Sequence, residues 1–314
     1  MMRIAVILST YNGGEYVGKQ IKSILAQEGV SLDLFVRDDG STDATKQVVL
    51  TLAKHDKRIH FVEGQNLGFK RSFFELLNDS RISNYDYFAY ADQDDLWKPN
   101  KLSVMEANMV NIENGMTTSP LLLYSNGRVF SDQGLGRRIY QKPRPVTGVI
   151  DAVFRPLYGM SFLFNRALRD LLIQTSFSHF NRWGHDGWTA IVASFTGRVM
   201  FVNQDLVLYR QHGDNASGLK KDYSKLSEQT FRDMIINFKK RQEDWKYKLS
   251  SLADELEVAF SGKHFLKENT IVQRLVSCNE EFVTRMQLLF SKQFTAHSKL
   301  QDIVIRSLLL RRKV

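Results

Sequence analysis

Apolar residues run together at Ile4–Leu8 and return at Val17, Ile21, Ile24 and Leu25, with the turn Asn12-Gly13-Gly14 between them. The first pattern is a short buried strand and the second is one face of a helix. The same signals then repeat. Leu32–Arg37 reads as a strand, residues 38–43 as a polar loop, and Ala44–His55 as a helix with Ser41 or Thr42 as its N-cap. Ile59–Glu63 is a third strand, Phe69–Asn78 a helix, and Tyr85–Ala91 a fourth strand ending on a cluster of acids. This alternation predicts an α/β fold with a mostly parallel sheet covered on both faces. Ligands of such sheets sit beyond the carboxyl ends of the strands, where loops 9–14, 38–43 and 92–95 fall.

Near residue 219 the periodicity changes. Phe231, Phe238, Trp245, Leu252 and Ala259 recur every seven residues, with Ile235, Leu249 and Leu256 four beyond three of them. That spacing is an amphipathic helix, and a further helical stretch spans Ile271 to Phe290. The change divides the chain into an α/β domain over 1–218 and a helical region over 219–314. The latter is either a cap packed on the first domain or a dimer seam.

Charge sharpens this division. Of the formal net charge of +9, residues 220–314 hold +7, with 19 Lys/Arg against 12 Asp/Glu. Residues 292–314 alone carry six Lys/Arg and one acid beside Ile303, Val304, Ile305, Leu308, Leu309 and Leu310. On a helix this composition gives either a solvated basic face or a strip that lies on an anionic membrane. The basic residues lack a nucleic-acid-binding motif, which argues against that partner. No stretch approaches the ~18 apolar residues of a membrane span, and the run Ile4–Leu8 is too short for the core of a signal peptide. The single cysteine, Cys278, rules out an intramolecular disulfide and a Cys-based zinc site and favours a reducing compartment. The expected location is cytoplasmic, peripheral on the inner face of the plasma membrane if the basic tail binds there.

Asp92-Gln93-Asp94-Asp95 places three carboxylates in four residues at a strand end, and such acids repel one another unless a hard cation relieves them. Together with Ser9-Thr10-Tyr11-Asn12, Arg37-Asp38-Asp39-Gly40-Ser41-Thr42-Asp43, Asn66-Leu67-Gly68 and Leu96-Trp97 with Pro99 and Lys101-Leu102, this segment resembles the family 2 inverting glycosyltransferases. Their fold is GT-A, a Rossmann-like sheet with helices on both faces. The resemblance covers residues 2–215.

It implies roles. Thr10 and Tyr11 line a nucleobase pocket, Asp39 accepts from the pyrimidine N3–H, and Lys70 or Arg71 lies near the base or diphosphate. Asp92 and Gln93 belong to the donor site. Asp94 holds a divalent metal, Mn²⁺ or Mg²⁺, and His212 completes that site. Asp186, in His185-Asp186-Gly187-Trp188, matches the catalytic base that removes the acceptor's proton. Gly159, His185 and Trp188, together with Phe162–Phe164, fall on the acceptor side. The implied partners are a dTDP- or UDP-linked sugar and a lipid-linked saccharide acceptor.

Two departures qualify the match. His185 stands where Glu is more usual, and the Gln-x-x-Arg-Trp motif of processive members is absent, Arg182-Trp183 preceding Asp186 instead. Addition of one or a few residues is therefore expected. The Asp-Gln-Asp-Asp-Leu-Trp and Tyr-Arg-Gln-His segments look most like bacterial rhamnosyltransferases of cell-wall or capsule assembly, which implies a dTDP-L-rhamnose donor, with UDP-hexoses and UDP-N-acetylhexosamines as alternatives. A sugar nucleotidyltransferase would need a Gly-rich basic loop, and loop 9–14 has no basic residue. A non-catalytic nucleotide-binding protein would have no need of Asp94 and Asp186.

Overall fold

The computed structural model describes residues 2–113, 119–131, 134–141 and 145–211, and beyond these 248, 251–252, 254–260, 288, 303 and 306. The chain parts into two units, residues 1–152 with 156–211, and residues 153–155 with 212–314.

In the first unit, strand β1 (Arg3–Thr10) is followed by helix α1 (Val17–Leu25), β2 (Ser31–Asp38), α2 (Thr45–His55), β3 (Ile59–Glu63), α3 (Phe69–Leu77) and β4 (Tyr87–Ala91). These four strands pair in parallel in the order β3-β2-β1-β4. β1 lies between two neighbours and under helices on both sides, so Ile4 to Leu8 are all fully buried. The parallel run puts the ends of β1, β2 and β4 side by side, and with them the three polar loops.

β5 (Leu96–Trp97), α4 (Lys101–Glu113), β6 (Leu121–Ser131), β7 (Gly134–Arg138), α5 (Val149–Phe154), β8 (Phe162–Asn165), α6 (Arg166–Leu172), α7 (Phe177–Trp183), α8 (His185–Thr196) and β9 (Arg198–Arg210) complete the order. β8 joins β4 antiparallel and β6 joins β8 antiparallel, while β9 runs parallel to β6. Among the described residues the sheet has nine strands, ordered β3-β2-β1-β4-β8-β6-β9-β5, with β7 paired to β6. β6 and β9 thereby point the same way as β1 to β4, so the end of β9 reaches the same edge as the polar loops.

The helix start after loop 38–43 differs from expectation. α2 begins after Ala44, and Asp43 Oδ1 accepts from the Thr45 amide at 3.0 Å. Ser41 is used within the loop, accepting from the Asn12 amide at 2.9 Å and donating to Asp38. Thr42 donates its amide to Asn12 Oδ1 at 2.8 Å. Neither hydroxyl is left to cap a helix, because both residues bind the second loop to the first.

In the second unit the described helical residues bury Leu252, Leu256 and Phe260 while Val258 stays exposed. That is the four-residue spacing of one helix face. Phe231, Ile235, Phe238, Trp245, Leu249, Cys278 and most of the stretches 271–290 and 292–314 lie outside the described residues.

Candidate active site

Gln93 locks the acidic loop to the end of β1. Its Oε1 accepts from the Thr10 hydroxyl at 2.7 Å and the Tyr11 amide at 2.9 Å, and its Nε2 donates to Tyr11 O at 3.2 Å. Gly13 packs so closely on that amide that a Cβ there would overlap it. Tyr11 is 44% exposed. Asp39 is buried at the end of β2, with Oδ1 accepting from Arg37 and from the Leu67 amide at 3.0 Å. Thr10, Tyr11, Asp39, Asp92 and Gln93 thus converge.

Three further contacts position the acids. Gln20 of α1 donates to Asp92 O at 2.9 Å. At the end of β9, the Arg210 amide donates to Asp95 Oδ1 at 2.9 Å and Arg210 Nε to Asp94 O at 2.8 Å. Lys101, fully buried at the start of α4, places Nζ 3.1 Å from the centre of the Trp97 ring and donates to Met160 O at 2.8 Å. His212, two residues beyond Arg210, lies outside the described residues. Among the described residues no group of three or more His, Cys, Asp or Glu side chains is arranged to hold a metal ion.

Asp186 occupies the first turn of α8, which starts at Gly184 with φ of +80°. A Cβ on Gly184 would stand 3.0 Å from Asp186 Oδ1. Gly159 lies against the same turn, its missing Cβ leaving room for His185 Nε2 at 2.7 Å and Asp186 Cβ at 3.3 Å. Lys70 and Arg71 are engaged elsewhere: Lys70 Nζ donates to Asn181 O at 2.6 Å, and Arg71 pairs with Glu75 at 2.5 Å while covering the Phe177 ring.

The sequence model described as Glycosyl transferase family 2 matches residues 5–203. The chain belongs to this family. Among curated relatives of this family 2 chain, a dTDP-rhamnosyl transferase, RfbG of Shigella flexneri, is 30% identical over 125 residues, 38% of this chain and 43% of that protein. An uncharacterized glycosyltransferase of Nostoc, alr2836, is 25% identical over 228 residues, 68% of this chain and 66% of that one. The chain therefore spans less than two thirds of these relatives' lengths. In fold it is similar to Staphylococcus aureus TarS, residues 1–349, with a TM-score of 0.56 at 13% identity, covering 99% of this chain and 81% of that one. The fold is that of the GT-A glycosyltransferases.

Two acceptor-side expectations for this family 2 chain are corrected by its packing. Trp188 is fully buried, its indole N–H donating to Thr175 Oγ1 at 3.0 Å and its ring stacked on His179 at 4.6 Å. It anchors α8 from behind and offers no surface to an acceptor. His185 is buried too, stacked on Phe73 at 3.8 Å and edge-on to Tyr90 at 4.9 Å. Among the described residues neither ring nitrogen has a hydrogen-bond partner, and burial lowers its pKa, so it is a neutral aromatic wedge beneath Asp186.

The acids share one field. Burial, then the carboxylates of Asp94 and Asp186, push Asp92 up to about 7. Burial, Asp92 and Asp94 push Asp95 well above the usual carboxylate range. Burial pulls Lys101 down against the attraction of Asp95 and Asp92. Arg37, Gln20, Lys101 and Arg210 hold the site together, yet the sequence reading gave them no role. The one signal for Lys101 was its place three residues after Lys98 in the Trp97-x-Pro99-x-Lys101 segment.

Proposed function

We propose that the protein is a metal-dependent, inverting, non-processive glycosyltransferase. In this reading it moves L-rhamnose from dTDP-L-rhamnose to a hydroxyl of a lipid-linked or saccharide acceptor in the assembly of a bacterial surface polysaccharide. The observation that carries the reading is the convergence of Thr10, Tyr11, Asp39 and the Asp92–Asp95 loop at one sheet edge, with Asp186 close enough to raise the pKa of Asp92. The rhamnosyl choice is supported by the similarity to RfbG. A UDP-hexose or UDP-N-acetylhexosamine donor is the alternative, supported by TarS having been solved with UDP-GlcNAc.

The base stacks on Tyr11 and gives its N3–H to Asp39, while Asp92 and Gln93 border the ribose and diphosphate. The crowded carboxylates fit a hard divalent ion. Asp94, with His212 beyond β9, would hold Mn²⁺ or Mg²⁺, which take one or two carboxylates and leave positions for diphosphate oxygens. An ion held there would supply positive charge to offset that on the departing diphosphate. Asp186 takes the acceptor's hydroxyl proton as that oxygen attacks the anomeric carbon and the carbon–oxygen bond to the diphosphate breaks, which inverts the centre. A cytoplasmic protein held at the membrane by its basic tail would meet a lipid-linked acceptor. No helix of the described residues is long and apolar enough to cross a bilayer.

Incubation of the protein and Mn²⁺ with dTDP-L-rhamnose, UDP-glucose, UDP-galactose and UDP-GlcNAc, with release of nucleoside diphosphate measured, tests the proposal. Release from dTDP-L-rhamnose above the others supports the rhamnosyl reading. Release from a UDP-sugar alone replaces it with the alternative, and pyrophosphate release would mark a nucleotidyltransferase.

A further inference from the structure

Arg37 occupies the penultimate position of β2, beside Ser9 of β1, and is 6% exposed although it carries a full charge. A guanidinium in that setting must have its donors satisfied and its charge matched. Its Nη1 pairs with Asp39 Oδ1 and donates to Ser72 Oγ at 3.2 Å, and its Nη2 donates to Gln65 O at 3.1 Å. Ser72 Oγ in turn accepts from Ser9 Oγ at 2.7 Å. The guanidinium also lies flat against Gly64, where any Cβ would overlap it. One side chain thus ties β1, β2, the 64–67 loop and α3 to a single carboxylate oxygen.

The consequence falls on Asp39. Oδ1 accepts from both Arg37 and the Leu67 amide. Among the described residues Oδ2 accepts no hydrogen bond, so it is the oxygen left for a ligand. The resemblance expected Lys70 or Arg71 near the base or diphosphate, but Lys70 donates to Asn181 O at 2.6 Å and Arg71 pairs with Glu75 at 2.5 Å, and the cation on Asp39 comes from Arg37.

We infer that Arg37 is the positioning residue that sets base selectivity: by fixing Oδ1 it presents Oδ2 as a directed acceptor for the N3–H of uracil or thymine. Cytosine offers a lone pair at N3, which the fixed oxygen repels. Free to turn, the same carboxylate would lose that discrimination. The inference rests on the proposed contact between Asp39 and the base, and Arg37 itself touches no substrate.

Calorimetric titration with UDP, dTDP and CDP in Mn²⁺ tests it on the full chain and on Arg37→Met. Wild type should prefer UDP or dTDP to CDP. Arg37→Met should lose about tenfold to a hundredfold in affinity for UDP and dTDP, the worth of one charge-assisted hydrogen bond, with CDP nearly unchanged, so that the preference collapses. A parallel loss for all three nucleotides, with the preference intact, makes Arg37 merely structural and overturns the inference; so does an unchanged variant. If Arg37→Met does not fold, Gly64→Ala displaces the guanidinium without removing it, and a preserved UDP-to-CDP ratio there is equally contrary. A wild type that binds none of the three, or binds CDP as well as UDP, defeats the nucleotide reading itself.

Discussion

Asp92 carries the clearest electrostatic signature of the site. Because its folded-state value is raised to about 7 above the ordinary 3.8, the folded protein binds more protons than the unfolded chain between those values. Stability contributed by this group therefore falls as pH rises through that window. Melting curves of wild type and Asp92→Asn in EDTA, from pH 5 to 8, should show a steeper decline for wild type and a variant that is the more stable at pH 8. Parallel curves would remove the crowding. At Asp94, substitution by Ala should abolish the enhancement of nucleoside-diphosphate binding by Mn²⁺, and calorimetry that finds the wild-type enhancement in the variant would assign the ion to other ligands. The segments that carry Asp94 and Asp186 stand out in the sequence because each motif is contiguous. Arg37, Gln20 and Arg210 were not, since each reaches the site through a fold contact made by a residue far along the chain or by a side chain that reads as ordinary strand or helix surface.

Helix α8 shows how side-chain direction escapes a motif. In His185–Trp188 the helical turn leaves Asp186 half-buried and sends Trp188 into the core, a direction that sequence spacing does not reveal until the helix start after Gly184 is known. Trp188→Ala should destabilise the protein by about 3–5 kcal/mol, the usual cost of emptying a buried aromatic site, with Trp188→Phe costing much less. Urea unfolding measures this, and a small loss for the alanine variant would contradict the buried position. The strands and helices up to Ala91 were legible because their apolar runs are short, clean and separated by turns. α4 was not, since the buried face Lys101, Leu102, Met105, Met109 and Glu113 has a cation and an acid at its two ends. β6 escaped because Ser125, Asn126 and Gly127 are buried in line with Leu121–Tyr124, so its apolar run breaks off in the middle of the strand.

The first unit joins the parallel strands β1 to β4 to a half in which β9 ends at the same edge as the polar loops. The chain's basic tail, most of it outside the described residues, is expected to hold anionic vesicles: sedimentation at low salt should recover the full chain with anionic lipid and lose it on deletion of residues 292–314, each basic residue adding about 1 kcal/mol at such a surface. Equal recovery of both proteins would leave the tail a solvated face. In the proposed reaction the donor loops bind and Asp186 reacts, two tasks carried by different parts of the sheet edge. Asp186→Asn separates them, with donor-diphosphate affinity by calorimetry and turnover by nucleotide release measured on one preparation. Affinity is expected to stay within about threefold of wild type, with turnover lower by roughly two to four orders of magnitude. Affinity and turnover falling together, or turnover unchanged, would contradict it.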